Sequence, residues 1–348
     1  ALQDPPIHTY QRKIAFAGLT PKLFLGLESR IREVSVSMID QFLKADTTLF
    51  KGNRNEDNLE RCYVEWMDSF ALRLPMVVAL DLVGFPYEQH RTIKEWADHG
   101  VALLSGVNTP EEFAEHVMES MKLFKWIQKQ FASWMKKEDE VQSLFLKELI
   151  NATKRDKDDP NGHLTIREAE SIIVQILLAG NDSSASTMGS AVAELARKPD
   201  MQIFLRENPD RIPDFIEEVL RLESPFNGHF RKVKKEEGIT LHGQHLPKGT
   251  RVMLLWGSGN RDEGYWKNPE EFSIERENRR SHLSFGSGIH SCLGQKLARL
   301  EVKVVLEELL KRTQNIEIGQ TSGKLKYLNS TFVRSLEKLP LRLSIKQK

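Results

Sequence analysis

One helical pattern, opening at Leu164-Thr165-Ile166-Arg167-Glu168 and running to about Arg197, constrains this chain more than any other stretch. Thr165 and Glu168 are spaced as a capping box, in which hydroxyl and carboxylate each take up an unpaired backbone N–H, and Pro199 marks the stop. So long a helix calls for a large, mostly helical body around it. The composition agrees: 348 residues, 40% apolar, with no low-complexity linker, predict one domain over 1–348 with a substantial core. In mid-helix, after the apolar run Ile172 to Leu178, come Ala179-Gly180-Asn181-Asp182-Ser183, which helix propensity alone would avoid. Gly180 removes bulk and opens a groove, while Asp182 and Ser183 offer a carboxylate and a hydroxyl suited to relaying protons. The other reading is a glycine kink in which Ser183 bonds back to a carbonyl one turn earlier.

A second stretch carries chemistry. Phe285-Gly286-Ser287-Gly288-Ile289-His290-Ser291-Cys292-Leu293-Gly294 sets one cysteine in a glycine-rich turn ahead of a helical pattern from Leu293 to Leu310. Unpaired N–H groups at that helix start favour the thiolate, the form that binds metals. Gly286 and Gly288 permit a tight turn, and Gly294 lets backbone approach a large flat ligand.

Three further patterns surround these two. His8 and Arg12 are four apart and share a helix face once Pro6 has started the helix. Glu218 and Arg221 are three apart and can pair. Arg231 closes the run Phe226-Asn227-Gly228-His229-Phe230-Arg231.

Together these motifs, in this order and spacing, resemble the cytochrome P-450 haem-thiolate monooxygenases, and the resemblance covers essentially all 348 residues. It implies a mainly α fold, with a long central helix over haem and small β-sheets in the C-terminal third. The cofactor would be haem b, iron protoporphyrin IX. Cys292 would be the iron ligand; His8, Arg12, Arg231 and His290 would clamp the propionates, with His282 a further member. Ala179, Gly180, Phe285, Gly286, Gly294 and Ala298 would lie against the ring. Asp182 and Ser183 hold the positions of the family's acid-alcohol pair, with serine for the usual threonine. The Glu218/Arg221 pair would be buried and structural; its usual third partner, an arginine just before Phe272, is replaced by Glu271, which leaves Arg276 and Arg279 as substitutes. Ile176, Phe226, Asn227 and Thr331 would line a pocket for an apolar small organic substrate, and Ser330 to Leu343 resembles the terminal hairpin region whose tip touches substrate.

The resemblance also implies dioxygen as co-substrate. No flavin, nicotinamide or iron-sulfur fingerprint appears in the sequence, so electrons are expected from a separate ferredoxin-like or flavodoxin-like protein, docking near Lys13, Lys296, Arg299 and Lys303. The family's leading sheet portion, two helices and substrate-covering loop have no counterpart before Asp4, so the expectation is an N-terminally shortened member with an open distal pocket. His290 and the run Asn260-Arg261-Asp262 are similar to soluble bacterial members, which predicts a cytoplasmic protein. Two cysteines, Cys62 and Cys292, predict a reducing compartment, no disulfide, and a packed or partly exposed Cys62. No apolar run approaches the roughly 20 residues that span a bilayer, and a net charge of +1 speaks against nucleic acid as partner.

Three other readings share the pattern. A peroxide-driven member would carry arginine and proline where Asp182 and Ser183 stand. A non-catalytic P-450-like partner protein usually lacks the cysteine. A haem-binding or sensing protein would keep ligation without turnover.

Helical patterns fill the first two-thirds, with breaks near Lys51 to Asp57, Pro86, Thr109-Pro110, Asp156 to Gly162 and Pro209. Leu74 to Gly84 reads as a buried helix. Strands are expected only after Arg221, with Ile239–Leu241 and Arg251–Leu255 in one small sheet. The aromatics Trp96, Phe113, Phe124, Trp126, Phe131 and Trp134 read mainly as amphipathic packing within helices that cover substrate in the family.

Overall fold

The computed structural model describes residues 3–45, 61–104, 106–159, 162–319 and 324–345. Among the described residues eleven α-helices run in the order α1 (Ile7–Ala17), α2 (Pro21–Ala45), α3 (Leu74–Val83), α4 (His90–Ala102), α5 (Pro110–Lys136), α6 (Leu144–Lys154), α7 (Ile166–Arg197), α8 (Pro199–Glu207), α9 (Ile212–Glu223), α10 (Trp256–Gly259) and α11 (Gln295–Arg312). The strands are β1 (Arg61–Glu65), β2 (Gly228–Lys232), β3 (Ile239–Leu241), β4 (Gln244–Leu246), β5 (Arg251–Leu255), β6 (Thr313–Ile318) and β7 (Pro340–Ile345). The mainly helical fold with small late sheets is therefore as expected. The break near Lys51 to Asp57 lies outside the described residues.

Helix α7 is the axis of the molecule, and its start is as the sequence dictates. The Thr165 hydroxyl accepts from Glu168 N while Glu168 returns a bond to Thr165 N, a complete capping box. From Ser184 to Ala193 every residue is buried, because α3, α9 and α11 pack around this half. Serine, threonine and glycine serve such a position because small side chains admit close neighbours: a Cβ on Gly189 would lie 2.5 Å from the Met67 sulfur. Helix α3 is buried at nine of its ten residues, and Gly84, at φ 72°, ends it in the left-handed conformation that glycine adopts without strain.

Two strand expectations are corrected. A strand precedes Arg221: β1 pairs antiparallel with β7, Cys62 opposite Leu343, and β7 also pairs with β6 in a three-stranded sheet. Its partner lies some 280 residues later in the sequence, and one five-residue run carries no local turn signal to announce it. Cys62 is wholly buried there, a packed thiol that donates to Phe42 O at 3.2 Å. Strands β3 and β5 do not share a sheet; β3 pairs with β4 and β5 with β2, in two separate two-stranded ribbons.

The covering helices α4 and α5 pack on each other and on α7. Phe131 is fully buried, and Trp96, Trp126 and Trp134 pack against the core, as amphipathic packing predicts, whereas Phe113 and Phe124 are exposed, along with Leu104, Val107 and Met121. Among the described residues no helix is long and apolar enough to cross a membrane.

Candidate functional site

The cysteine loop closes on itself. Cys292 N donates to Phe285 O at 2.8 Å and Ser291 N to Gly288 O at 3.0 Å, with Gly286 and Gly288 at φ 65° and 70°. Positive φ at both is the physical need for glycine in this loop. Helix α11 starts at Gln295, two residues later than the sequence pattern suggested, yet the N–H groups of Gly294 and Gln295 still reach the Cys292 sulfur. Burial nevertheless pushes the thiol up, and the two N–H groups with Arg12 and Arg299 only oppose that push. The helix start alone therefore does not secure the thiolate; a cation bound to sulfur would.

Around the loop, imidazole and guanidinium groups converge. Helix α1 carries His8 and Arg12 on one face: the His8 ring lies 4.2 Å from that of His290, and Arg12 Nη2 donates to Ser291 O at 2.7 Å. Arg231 on β2 is close enough to act on His290 electrostatically. Burial and then neighbouring charge push both imidazoles down, His8 through Arg12 and His290 through His8 and Arg231. Cationic side chains that repel one another are a site built for an anion to lie between. His282 does not belong here. It is buried against Glu217, Nε2 to Oε2 3.1 Å.

Space for a flat ligand is present beside the small residues. A Cβ on Gly180, Gly286 or Gly288 would meet no atom within 4 Å, and on Gly294 it would lie 3.9 Å from the Cys292 sulfur. Ala179 is exposed in the middle of the central helix. Ala298 closes the first turn of α11, its N–H donating to Gly294 O. The donor set, one sulfur with cationic side chains around it and open backbone beside it, fits an iron porphyrin carrying two carboxylates.

On α7 the acid-alcohol pair is differently engaged than a free relay. Asp182 Oδ1 lies 3.3 Å from Lys94 Nζ of α4, and Lys94 also pairs with Asp98. Burial and the Asp182 charge push the Asp98 carboxyl up to about 6 against the pull of Lys94. Ser183 donates to Ala179 O at 2.9 Å, the back-bond one turn earlier. Lys94 was invisible in the sequence because nothing local marks a lysine on α4 as reaching α7.

The expected pocket segments do meet. Asn227 N donates to Phe332 O at 2.9 Å and its side chain to Thr331 O at 3.2 Å, while the Phe226 and Phe332 rings are 4.9 Å apart. Gly106, after α4, approaches so closely that a Cβ would lie 2.8 Å from the Thr331 hydroxyl oxygen. Ile176 is partly buried on α7, packed against the core.

Behind the site, Glu218 and Arg221 are fully buried and doubly bonded, Nε to Oε2 and Nη2 to Oε1, both 2.8 Å. Arg276 is the third partner, Nε to Glu218 Oε1 at 2.9 Å; Arg279 turns to Asp214 instead. Arg221 also bonds the carbonyl of Asn260, whose side chain ties Ser224, Ser284 and Leu283 N together just ahead of the cysteine loop. The neighbouring Glu217 was missed. Against the upward push of its burial, Arg299 and His282 hold it down at about 2. Arg299 also lies 4.4 Å over the Phe285 ring. It is thus occupied inward, and Lys303 pairs with Glu307 and Glu28, so neither is a free member of a docking face.

Comparison with known proteins finds relatives along most of the chain. The cytochrome P450 family pattern matches residues 104–339. The chain is 35% identical to cytochrome P450 144 of Mycobacterium tuberculosis, over 98% of its own length and 72% of the relative's. It is 31% identical to cytochrome P450 CYP107DY1 of Priestia megaterium, over 97% and 75%. P450BioI, solved in complex with hexadec-9Z-enoic acid ligated acyl carrier protein, superposes with a TM-score of 0.84 at 27% identity, covering 99% of this chain and 81% of that one. CYP109E1 from Bacillus megaterium in complex with testosterone gives 0.81 at 27%, over 98% and 85%. The chain belongs to the cytochrome P450 family of haem-thiolate monooxygenases, oxidoreductases that bind haem b.

Proposed function

We propose that this protein uses dioxygen to oxidise, most simply by hydroxylation, an apolar small organic molecule, with electrons from a separate ferredoxin-like or flavodoxin-like protein. The observation that carries the reading is the convergence of His8, Arg12 and His290 on the loop that presents Cys292. In this reading Cys292 ligates the iron, and His8, Arg12, Arg231 and His290 hold the propionates by charge-assisted hydrogen bonds. Ala179, Gly180, Phe285, Gly286, Gly294 and Ala298 leave room for the ring. Thiolate-ligated haem supplies dioxygen activation, since electron donation by sulfur favours O–O cleavage.

The chain's own residues do the rest. Asp182 and Ser183 manage protons on the α7 side, and because Asp182 is paired with Lys94, its carboxylate is delivered to the site only as α4 allows. Ile176, Phe226, Asn227 and Thr331 orient substrate. An apolar substrate is supported by the exposed Leu104 and Val107 between α4 and α5 and Phe113 and Met121 on α5, and by relatives solved with a long-chain acyl group and with a steroid.

The test is the absorbance difference of the dithionite-reduced protein with and without carbon monoxide. Thiolate ligation shifts the Soret band far to the red. Cys292→Ser is expected to abolish that shift, and an unchanged spectrum in the variant refutes the ligand assignment. Oxygen consumption that depends on reduced ferredoxin or flavodoxin then separates an enzyme from a haem-binding protein.

A further inference from the structure

Two imidazoles that no motif absorbed meet between the covering helices. His99 lies in the last turn of α4 and His116 in the second turn of α5, and their Nδ1 atoms are 2.8 Å apart. The ring centroids are 5.0 Å apart and the planes are tilted by 54°. Both residues are half-buried, and among the described residues neither ring makes another hydrogen bond. An imidazole nitrogen either carries a proton or offers a lone pair, so the protein alone joins these two by a single N–H···N bond.

A shared ion joins them in a different way, with both nitrogens offering lone pairs. Imidazoles bound at about 2.0–2.1 Å to one zinc-type ion, at an angle of about 90–110°, have their nitrogens about 2.8–3.4 Å apart. The 2.8 Å between His99 and His116 stands at the short end of that range, so the rings need turn and the helices need not part. The local charge suits a cation. One turn along from the two rings on their own helices stand Glu95, Glu112 and Glu119, and no lysine or arginine. Lys94 is engaged with Asp98 and Asp182. The other close imidazole pair, His8 and His290, is crowded by Arg12 and Arg231, which repel an ion there. Among the described residues no group of three or more His, Cys, Asp or Glu is set to hold a metal. The protein's share at this point is therefore the two imidazoles, and water supplies the rest.

We propose that His99 and His116 bind, through both Nδ1 atoms, one divalent ion of the zinc, copper or nickel type, the ions that imidazole suits. Such an ion is a clasp between α4 and α5. Its effect reaches beyond its ligands, because α4 also carries Lys94, which holds Asp182 on α7, and Gly106 between the two helices lies against Thr331. The inference depends on neither iron ligation nor substrate, and its failure leaves the Cys292 assignment untouched.

Isothermal titration of the haem-loaded protein with Zn2+ alone tests it. His99→Ala and His116→Ala are each expected to weaken one Zn2+ site at least about tenfold, since even an outer partner of a metal-bound imidazole is worth that much. Wild type and variants that bind Zn2+ alike overturn the proposal. Hydrogen exchange on the wild type decides the matter should a variant not fold. Zn2+ is expected to slow exchange in α4 and α5, and Mg2+, which takes oxygen ligands, to leave it unchanged. No slowing with Zn2+, or equal slowing with Mg2+, overturns the proposal, as does slowing by Zn2+ that persists in His116→Ala.

Discussion

Arg276→Met separates two arginines that the sequence left equivalent. Arg276 gives one bond to the fully buried Glu218 and three to the carbonyls of Lys267, Asn268 and Glu271, at 2.9, 2.5, 2.8 and 2.7 Å. Its removal does not strand the carboxylate, which keeps both Arg221 bonds and Ser273 N. The loss is one charge-assisted bond in a buried site plus three freed carbonyls that water reaches in part, about 2–4 kcal/mol. Removing Arg221 strands Glu218 more severely, about 3–5 kcal/mol. Arg279 is 29% exposed, and its partner Asp214 keeps Arg211, so Arg279→Met costs about 1 kcal/mol or less. Urea unfolding midpoints at constant slope measure all three, followed by tryptophan fluorescence, since Trp266 lies 5.1 Å from the Arg221 guanidinium. If the Arg279 variant loses as much as the Arg276 variant, or Arg276→Met costs under about 1 kcal/mol, the network as drawn is wrong.

Other substitutions probe the site directly. Lys94→Met removes the cation that ties Asp182 to α4 and that pulls the Asp98 carboxyl down against its burial, so Asp98 is expected to rise further and the acid limb of partner-driven turnover to move to higher pH. An unmoved pH–rate profile separates this charged cluster from proton handling. Arg12→Gln loses the guanidinium beside Ser291 O and is expected to speed transfer of haem to apomyoglobin by roughly tenfold, the equivalent of about 1.4 kcal/mol. An unchanged transfer rate removes Arg12 from the propionate clamp.

How much of this was readable in the sequence depends on whether the signal is local. Thr165 and Glu168 announced α7 because a capping box is written in four consecutive residues, and the glycines at 286 and 288 announced their turn because glycine adopts a positive φ at least steric cost. The helix pattern from Leu293 began two residues early because helix ends fray in pattern but not in hydrogen bonding. Strand β1 and the separate pairing of β3 and β5 were not readable, since register is decided by partners far along the chain. Glu218 and Arg221 were found by spacing, whereas choosing Arg276 over Arg279 required knowing which side chain points inward after the turn at Asn268.

Within the site the same limit has a chemical form. Asp182 and Glu301 are both carboxyls near one stretch of α7, and sequence offers no reason to treat them differently. Asp182 drew notice because it follows Gly180 in an apolar run; Glu301 sits in Leu300-Glu301-Val302-Lys303, which reads as ordinary amphipathic helix. What divides them is which charges their neighbours bring. Helix α4 extends Lys94 to Asp182, a cation at 3.3 Å. Helix α7 offers Glu301 a hydroxyl, and burial without a cation favours the proton-bound form. One acid can therefore respond to movement of the covering helix while the other stays fixed behind it, and the difference comes from packing partners drawn from α4 and α7, with Lys94 lying 88 residues before Asp182 in the sequence.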